Sequence, residues 1–268
     1  MCSACTATSC ARRQTVEILN DWWLWPAGLA LLGAVLGSFL ATIVLRWPHG
    51  RSVVGGRSAC DRCHRTLTAR DLVPLLSFAA AGGRCRYCAE PINWTHPQIE
   101  FAALLVGGLA GLAVPGPAGL AGAIFGWLLL VLAALDISDY WLPDRLTATL
   151  ALAGLATGLL GIAPPLAERL IGGAGGFAAL WAIGEGYRRL RGREGLGGGD
   201  PKLFGAIGLW LGWRLLPVVL FLAALTGLCV VLVGMLTGRR AALTDRAPFG
   251  ALLAVAAYPA WLFLLGSS

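Results

Sequence analysis

Long apolar runs separated by short polar segments dominate the sequence. Most runs approach the about 20 residues that an α-helix needs to cross the hydrocarbon core of a bilayer, and Arg, Pro, Gly and Asp collect in the breaks between them. This alternation predicts an all-α polytopic membrane protein with about eight transmembrane helices. The predicted spans are Trp22 to Leu45, Pro97 to Val114, Ala118 to Leu135, Leu146 to Ile162, Leu166 to Tyr187, Leu203 to Trp213, Leu216 to Leu236 and Phe249 to Leu265.

The overall composition agrees with a bilayer as the solvent. Hydrophobic residues make up 57% of the 268 residues and charged residues only 13%, whereas soluble domains average about 25% charged residues. One span, Leu203 to Trp213, is short for the hydrocarbon core. Either its partner helices thin the membrane there or the predicted boundaries are wrong.

The polar segments divide the chain into four parts. We expect an N-terminal tail at 1–21, a first transmembrane helix at 22–45, a cytoplasmic loop at 46–96 and a membrane domain of about seven helices at 97–268. The stretch from Asp21 to Leu45 is too long for a signal peptide and runs into a basic loop without a small-residue cleavage site. It is therefore expected to remain as the first span.

The arginines indicate how the helices are oriented, because basic loops stay in the cytoplasm. Three clusters fall on one side of an eight-span topology, so we expect both termini outside and the clusters inside. Arg12, Arg13, Arg169 and Arg214 are exceptions, because this topology places them outside. The net charge of +7 then reflects topology. No nucleic-acid partner is expected, since most of the 11 tryptophans lie near span ends, as in aromatic belts. The clusters contain Arg46, Arg51, Arg57, Arg62, Arg65, Arg70, Arg84 and Arg86; Arg188, Arg189, Arg191 and Arg193; and Arg239, Arg240 and Arg246.

Four cysteines in the basic loop have the spacing of a metal site. Two CxxC pairs are separated by 21 residues: Cys60 with Cys63, and Cys85 with Cys88. Two such pairs can supply four thiolates to one tetrahedral zinc ion, which would stabilise a loop too small for a large core. The alternatives are two unrelated thiol pairs or a redox pair, and His64 is a possible substitute ligand. Cys2, Cys5, Cys10 and Cys229 show no matching spacing.

Two aspartates are expected at the same membrane face as this loop. Asp136 ends an apolar run and Asp200 precedes the sixth span. A carboxyl group at such a depth is costly unless it is paired, hydrated or used, so these acids are functional candidates. Two carboxyl groups held close together do not both ionise easily, so one keeps a proton while the other acts as a base. The pair therefore predicts acid and base chemistry on a water molecule.

Other charged residues compete with the pair or support it. Asp139 is either a ligand of water or a solvated helix end. Asp144 is either functional or the N-cap of the next helix, and Glu185 is expected to pair with Arg188 and Arg189. Lys202 is the only lysine in the chain; it either acts on Asp200 or the substrate, or extends to the membrane surface. Gly197 and Gly199 permit close approach of an extended substrate or form a flexible linker.

These motifs together resemble the bacterial type IV prepilin peptidase family, membrane aspartic proteases with a GxGD motif, over nearly the whole chain. The resemblance rests on GSFLATIVLRWP at Gly37 to Pro48, the CxxC pairs, DLVPLLSF at Asp71 to Phe78, HPQIE at His96 to Glu100, DISDYWLPDRLT from Asp136 and GLGGGDPK from Gly195. It implies that Asp136 and Asp200 are the catalytic pair. It also implies removal of a basic leader, after a glycine, from prepilin or type II secretion pseudopilin helices in the bacterial inner membrane.

Many members of this family also methylate the new N-terminus with S-adenosylmethionine. This chain departs from the family signature at Ala41, Leu45 and His96. We therefore expect intact peptidase activity and weak or absent methyl transfer. Two other functions explain the hydropathy: a proton-coupled transporter that uses Asp136 and Asp200, and a zinc-stabilised membrane scaffold without catalysis.

Overall fold

The computed structural model describes residues 22–53, 58–60, 62–193, 195–237 and 248–266. Within this part of the chain the structure is helical, with two isolated β-bridges in the polar loop and no strand. The prediction of an all-α fold is confirmed. The helices are α1 (Leu24–Arg46), a 3₁₀ turn (Ala69–Leu72), α2 (Leu76–Ala80), α3 (Thr95–Ala113), α4 (Pro117–Asp139), α5 (Asp144–Leu159), α6 (Leu166–Arg191), α7 (Asp200–Leu211), α8 (Leu216–Leu236) and α9 (Phe249–Gly266).

Five of the described helices are long and apolar enough to cross a membrane: α1, α4, α6, α8 and α9. The chain is therefore a multi-pass membrane protein. Helices α3, α5 and α7 have 19, 16 and 12 residues, and they do not meet the same criteria of length and apolarity. The count of eight spans stays a prediction.

Glycines bring α1 and α3 into backbone contact as an antiparallel pair. A Cβ atom built on Gly33 would lie 2.2 Å from the carbonyl oxygen of Ala103, and one on Gly107 would lie 2.1 Å from that of Leu29. No side chain fits at either position. The pair holds both ends of the polar loop, residues 47–94, at the same end of the helix bundle.

The short helix α7 lies in the core of the bundle rather than against lipid. Ten of its twelve residues are buried, and Gly172 of α6 packs against the backbone of Gly208. The indole of Trp210 stacks on Phe125 at 4.8 Å and donates to the Leu150 carbonyl at 2.8 Å. Because neighbouring helices cover α7, it does not need the length of a free-standing span.

A buried arginine joins three elements at the end of the bundle opposite the polar loop. Arg169, on α6, is 1% exposed, so its departure from the cytoplasmic arginine pattern follows from burial in the protein. Arg214, another exception to that pattern, pairs with Glu168 at 3.2 Å. The Arg169 guanidinium donates to the carbonyl oxygens of Gly154, Ile162, Ala163, Pro164 and Leu209 and to the Thr157 hydroxyl.

Several residues that entered the sequence predictions lie outside the described part of the chain. They are Cys2, Cys5, Cys10, Arg12, Arg13, Arg57, Arg239, Arg240 and Arg246.

Candidate active site and cysteine cluster

Asp136 and Asp200 meet at the end of the bundle that carries the polar loop. Asp136 lies in the last turn of α4, and Asp200 is the first residue of α7. Both side chains are buried, with residue exposures of 6% and 5%. Although 63 residues separate them in the sequence, the packing of α4 against the core around α7 brings the two carboxyl groups to one site.

The first turn of α9 lies against both carboxyl groups. A Cβ atom built on Gly250 would be 3.0 Å from Asp136 Oδ2 and 3.2 Å from Asp200 Oδ1, so these oxygens are no farther apart than the sum of the two distances, about 6.2 Å. The Ala251 N–H donates to Asp136 Oδ2 at 2.8 Å. The two carboxyl groups are therefore close enough to act on the same substrate group.

The glycine-rich turn before α7 wraps around the Asp200 side chain. The Gly197 N–H donates to Asp200 Oδ2 at 3.0 Å, and the Asp200 N–H donates back to the Gly197 carbonyl at 3.1 Å. A Cβ atom on Gly199 would lie 2.8 Å from the Cβ atom of Leu142. Both predicted glycines therefore lie beside Asp200 in a closely packed turn. The approach of an extended substrate to them stays a prediction.

Lys202 and Asp144 contact each other beside the site. The Lys202 ammonium lies 2.6 Å from Asp144 Oδ1, and the two side chains are 48% and 74% exposed. Of the two roles considered for Asp144, the N-cap of α5 is not observed: Pro143 is the N-cap residue, Asp144 is the first helical residue, and no side-chain capping bond forms. Its carboxylate instead pairs with Lys202 and so connects α5 to α7.

The remaining acids have local partners. The carboxylate of Asp139 accepts a hydrogen bond from the Ser138 hydroxyl at 2.5 Å, and the residue is exposed. Glu185 pairs with Arg188 at 2.6 Å and with Arg189 at 2.8 Å, which confirms the predicted ion pairs.

The four cysteines of the polar loop form one cluster. The sulfur atoms of Cys60, Cys63, Cys85 and Cys88 all lie within 4.8 Å of one another. Backbone N–H groups of Tyr87 and Cys88 point at the Cys85 sulfur and lower the pKa of this thiol to about 7, which favours the thiolate form that binds metal. The set fits a tetrahedral metal site, and among the described residues His64 is not part of it.

The two CxxC turns repeat the same backbone pattern 25 residues apart. The Cys60 N–H donates to Arg65 O and the Cys85 N–H to Glu90 O, at 3.0 and 2.8 Å. In both turns the fourth residue after the first cysteine has a positive φ, 56° at His64 and 58° at Ala89. Each turn thus presents two sulfurs from the same side, and the two turns face each other.

A cavity of about 680 Å³ lies between the cysteine cluster, α1 and α3. Its lining includes the carboxylates of Asp71, Glu90 and Glu100 together with arginines and the Tyr87 ring. Glu100 is 7% exposed and accepts the Leu75 N–H at 2.8 Å. The Thr68 hydroxyl and N–H bond to the Asp71 carboxylate and lower its pKa. The volume is within the about 300–1,000 Å³ of small-molecule sites.

Of the three positions that depart from the family signature, only one borders this cavity. His96 lines it, whereas Ala41 and Leu45 do not. Ala41 is fully buried in a small apolar cluster with Ile43, Val44 and neighbours. The departure at Ala41 therefore concerns helix packing, and that at Leu45 lies outside the cavity lining.

Sequence reasoning did not find Gly250, Ala251 or Leu142 as parts of the site. A Pro-Phe-Gly sequence ahead of an apolar run marks the start of α9 at Pro248 to Gly250. This signal predicts a helix start but not what lies beside it. The contact between α9 and α4 depends on how the helices pack.

Comparisons with known proteins match both halves of the chain. Residues 31–114 match the model for the bacterial peptidase A24 N-terminal domain, and residues 123–232 match that for the type IV leader peptidase family. A protein from Aeromonas salmonicida (strain A449) is 33% identical, covering 91% of each chain. One from Burkholderia pseudomallei (strain 1026b) is 39% identical over 85% of this chain and 84% of its own.

A relative from Klebsiella pneumoniae is 40% identical over 75% of this chain and 92% of its own. All three relatives are named prepilin leader peptidase/N-methyltransferase. No solved structure matches the chain significantly. The identity and the coverage of these relatives, together with the two family models, show that the chain belongs to the type IV leader peptidase family.

Proposed function

We propose that this chain is an aspartic endopeptidase that removes the leader from prepilins or type II secretion pseudopilins. The observation that carries the proposal is the pair of buried carboxyl groups, Asp136 and Asp200, both next to Gly250. The names of relatives that are 33–40% identical support the same reaction. In this proposal the active site faces the cytoplasm from the bacterial inner membrane, beside the arginine-rich loop.

The proposed reaction needs only the two carboxyl groups and water. The ionised carboxylate takes a proton from water while the water oxygen attacks the scissile carbonyl carbon. The protonated carboxyl group donates a hydrogen bond to the carbonyl oxygen. As the C–N bond breaks, a proton passes to the leaving amine nitrogen. The products are the leader carboxylate and a new N-terminal amine, and no covalent enzyme intermediate forms.

In this proposal the site lies at the depth where such a substrate presents its cleavage point. Prepilin leaders end at the cytoplasmic end of an apolar helix, and the carboxyl pair lies at the end of the bundle that carries the polar loop. Trp47, just after α1, packs edge to face on Trp141 at 5.9 Å. This contact joins the start of the polar loop to the connection between α4 and α5.

The deciding experiment measures cleavage of a purified prepilin by the purified chain in detergent. The wild type should shorten the substrate by the mass of its leader. Asp136→Asn and Asp200→Asn should each abolish cleavage, because the amide keeps the shape of the side chain but does not exchange the proton. Asp139→Asn, one turn beyond on the same helix, is the matched control and should cleave.

Two outcomes would contradict the proposal. Full activity of either amide variant would exclude the carboxyl pair as the catalytic groups. A wild type that cleaves nothing in detergent but depends on a proton gradient in vesicles would favour a transporter. For a non-catalytic scaffold, replacing both aspartates would leave its cellular function unchanged.

We further propose that the cysteine cluster holds one zinc ion in a closed, structural site. Four thiolates at this spacing match the usual ligand set of structural zinc, and the loop offers few buried apolar side chains to hold it otherwise. Zinc binding would then contribute to the folding of the loop and so to the shape of the cavity beside it.

We also propose that the chain methylates the new N-terminus and that the cavity takes S-adenosylmethionine. This donor supplies a methyl group on a positively charged sulfur. The residues present fit such a ligand, because the buried carboxylate of Glu100 lines the cavity and can attract a cation. The arginines that line the cavity can pair with the donor's own carboxylate.

A further inference from the structure

The backbone at the start of α9 reaches both members of the carboxyl pair. We infer that Gly250 and the Ala251 N–H are positioning elements of the peptidase, which fix the Asp136 carboxyl group relative to Asp200. This inference rests on the proposed function of the pair. It adds a third helix, and a segment outside the two sequence motifs, to the catalytic apparatus.

The absence of a side chain at Gly250 is what lets the helix start reach the site. A methyl group there would be 2.8 Å from Leu142 Cδ1, 3.0 Å from Asp136 Oδ2 and 3.2 Å from Asp200 Oδ1. All three contacts are tighter than ordinary van der Waals separation. An alanine would therefore push both carboxyl groups, and only glycine leaves their separation unchanged.

The hydrogen bond from Ala251 orients the carboxyl group that Gly250 leaves room for. Ala251 is the third residue of α9, and N–H groups in the first turn of a helix have no acceptor within that helix. This N–H donates to Asp136 Oδ2 at 2.8 Å, and the Gly250 N–H also interacts with the carboxyl group. With Oδ2 held by the backbone, Oδ1 is the oxygen left to act on water.

The first test compares Gly250→Ala with Gly234→Ala, a glycine of α8 whose added Cβ would meet nothing within 4 Å. Gly250→Ala should lower kcat for prepilin cleavage by about 10–100-fold while KM changes by less than about twofold, since misplaced catalytic groups lose rate rather than substrate affinity. Gly234→Ala should cleave at the wild-type rate. The thermal unfolding midpoint of each variant in detergent separates misplacement from loss of folded protein.

The second test removes the hydrogen bond. Ala251→Pro deletes the N–H at a first-turn position where a helix tolerates proline, and Ala251→Val adds the same number of carbon atoms but keeps the donor. The proline variant should have a kcat at least about tenfold below that of the valine variant, the loss expected when a group that orients a catalytic residue is removed. Equal kcat values for the two would overturn the role of the hydrogen bond.

A third variant separates the contacts of Gly250. Leu142→Ala combined with Gly250→Ala removes the leucine contact and leaves the carboxyl contacts, so its kcat should stay low. Full rescue would place the effect on Leu142 and overturn the inference. The proposed function itself fails if the wild type does not cleave or if Asp136→Asn does. The inference alone fails if both behave as proposed but Gly250→Ala and Ala251→Pro cleave normally.

Discussion

At the scale of single residues, the cysteine cluster shows what local spacing determines. Each CxxC turn is built from a short stretch of sequence, and the same hydrogen bonds recur in both turns. The spacing of the cysteines therefore predicted the cluster correctly. The identity of the metal depends on ligand chemistry, and four thiolates favour zinc.

Purified chain should contain about one zinc ion per molecule, as expected of a closed four-thiolate site. Cys60→Ser should lower both the zinc content and the yield of folded protein, because the metal contributes to the folding of the loop. Cys229→Ser, at an exposed cysteine of α8, is the matched control and should leave both unchanged. Elemental analysis after purification under reducing conditions without chelator measures the content, and metal-free wild-type protein would exclude the site.

The carboxyl pair shows both the reach and the limit of the sequence. Asp136 and Asp200 stand out because a carboxyl group at the end of an apolar run is costly, and the structure brings them together. Gly250 carries no such signal, since glycine is common in this chain, with 37 residues. Its importance arises from a neighbour 114 positions away, which only the packing of α9 on α4 reveals.

At the scale of helices, apolar runs predicted which segments are helical, but not at which residue each helix begins. The sixth predicted span begins at Leu203, whereas α7 begins at Asp200 and includes the residue at the site. Polar residues at a helix start do not look like part of a span, although the helix continues through them. The same effect places Asp144 inside α5 rather than ahead of it.

The buried arginine of α6 should be essential for the packing of α5, α6 and α7. Arg169→Met leaves several buried carbonyl oxygens without a donor, so we expect a loss of stability of about 3 kcal/mol or more. Arg169→Lys should lose an intermediate amount of stability, because an ammonium has only three donors and all of them are on one nitrogen. The measurement is the unfolding of purified protein in detergent, by heat or denaturant.

Arg214→Met provides the comparison for this prediction. The Arg214 side chain is 69% exposed and pairs with Glu168 at the same end of the bundle. Exposed ion pairs contribute about 1 kcal/mol or less, so its loss should have little effect on unfolding. If Arg169→Met were as stable as Arg214→Met, the hydrogen bonds of the buried guanidinium would not hold the three helices together.

At the scale of the whole molecule, one end of the bundle carries two separate sites. The carboxyl pair belongs to α4, α7 and α9, whereas the cavity belongs to the polar loop, α1 and α3. The contact of Trp47 with Trp141 links these two parts. Cleavage releases the amine that methyl transfer consumes, so the order of the two proposed reactions follows from their chemistry.

The two proposed activities should therefore separate by mutation. Asp136→Asn should fail to cleave prepilin but should still methylate mature pilin supplied with S-adenosylmethionine, because the cavity is intact. Glu100→Gln removes a buried negative charge from the cavity and keeps an oxygen that accepts the Leu75 N–H. It should cleave normally per folded molecule but lose at least about tenfold in methyl transfer, the size expected when a buried charge partner of a cation is removed.

Mass spectrometry of the pilin N-terminus reads out both reactions, since leader removal and methyl addition change the mass by different amounts. Equilibrium dialysis with S-adenosylmethionine provides a second readout, and binding should weaken in Glu100→Gln but not in Asp136→Asn. Methyl transfer that is unaffected in Glu100→Gln would move the methyl-donor site away from this cavity. A wild type that leaves every mature N-terminus unmethylated would contradict the proposed methyl transfer and would agree with the expectation drawn from Ala41, Leu45 and His96.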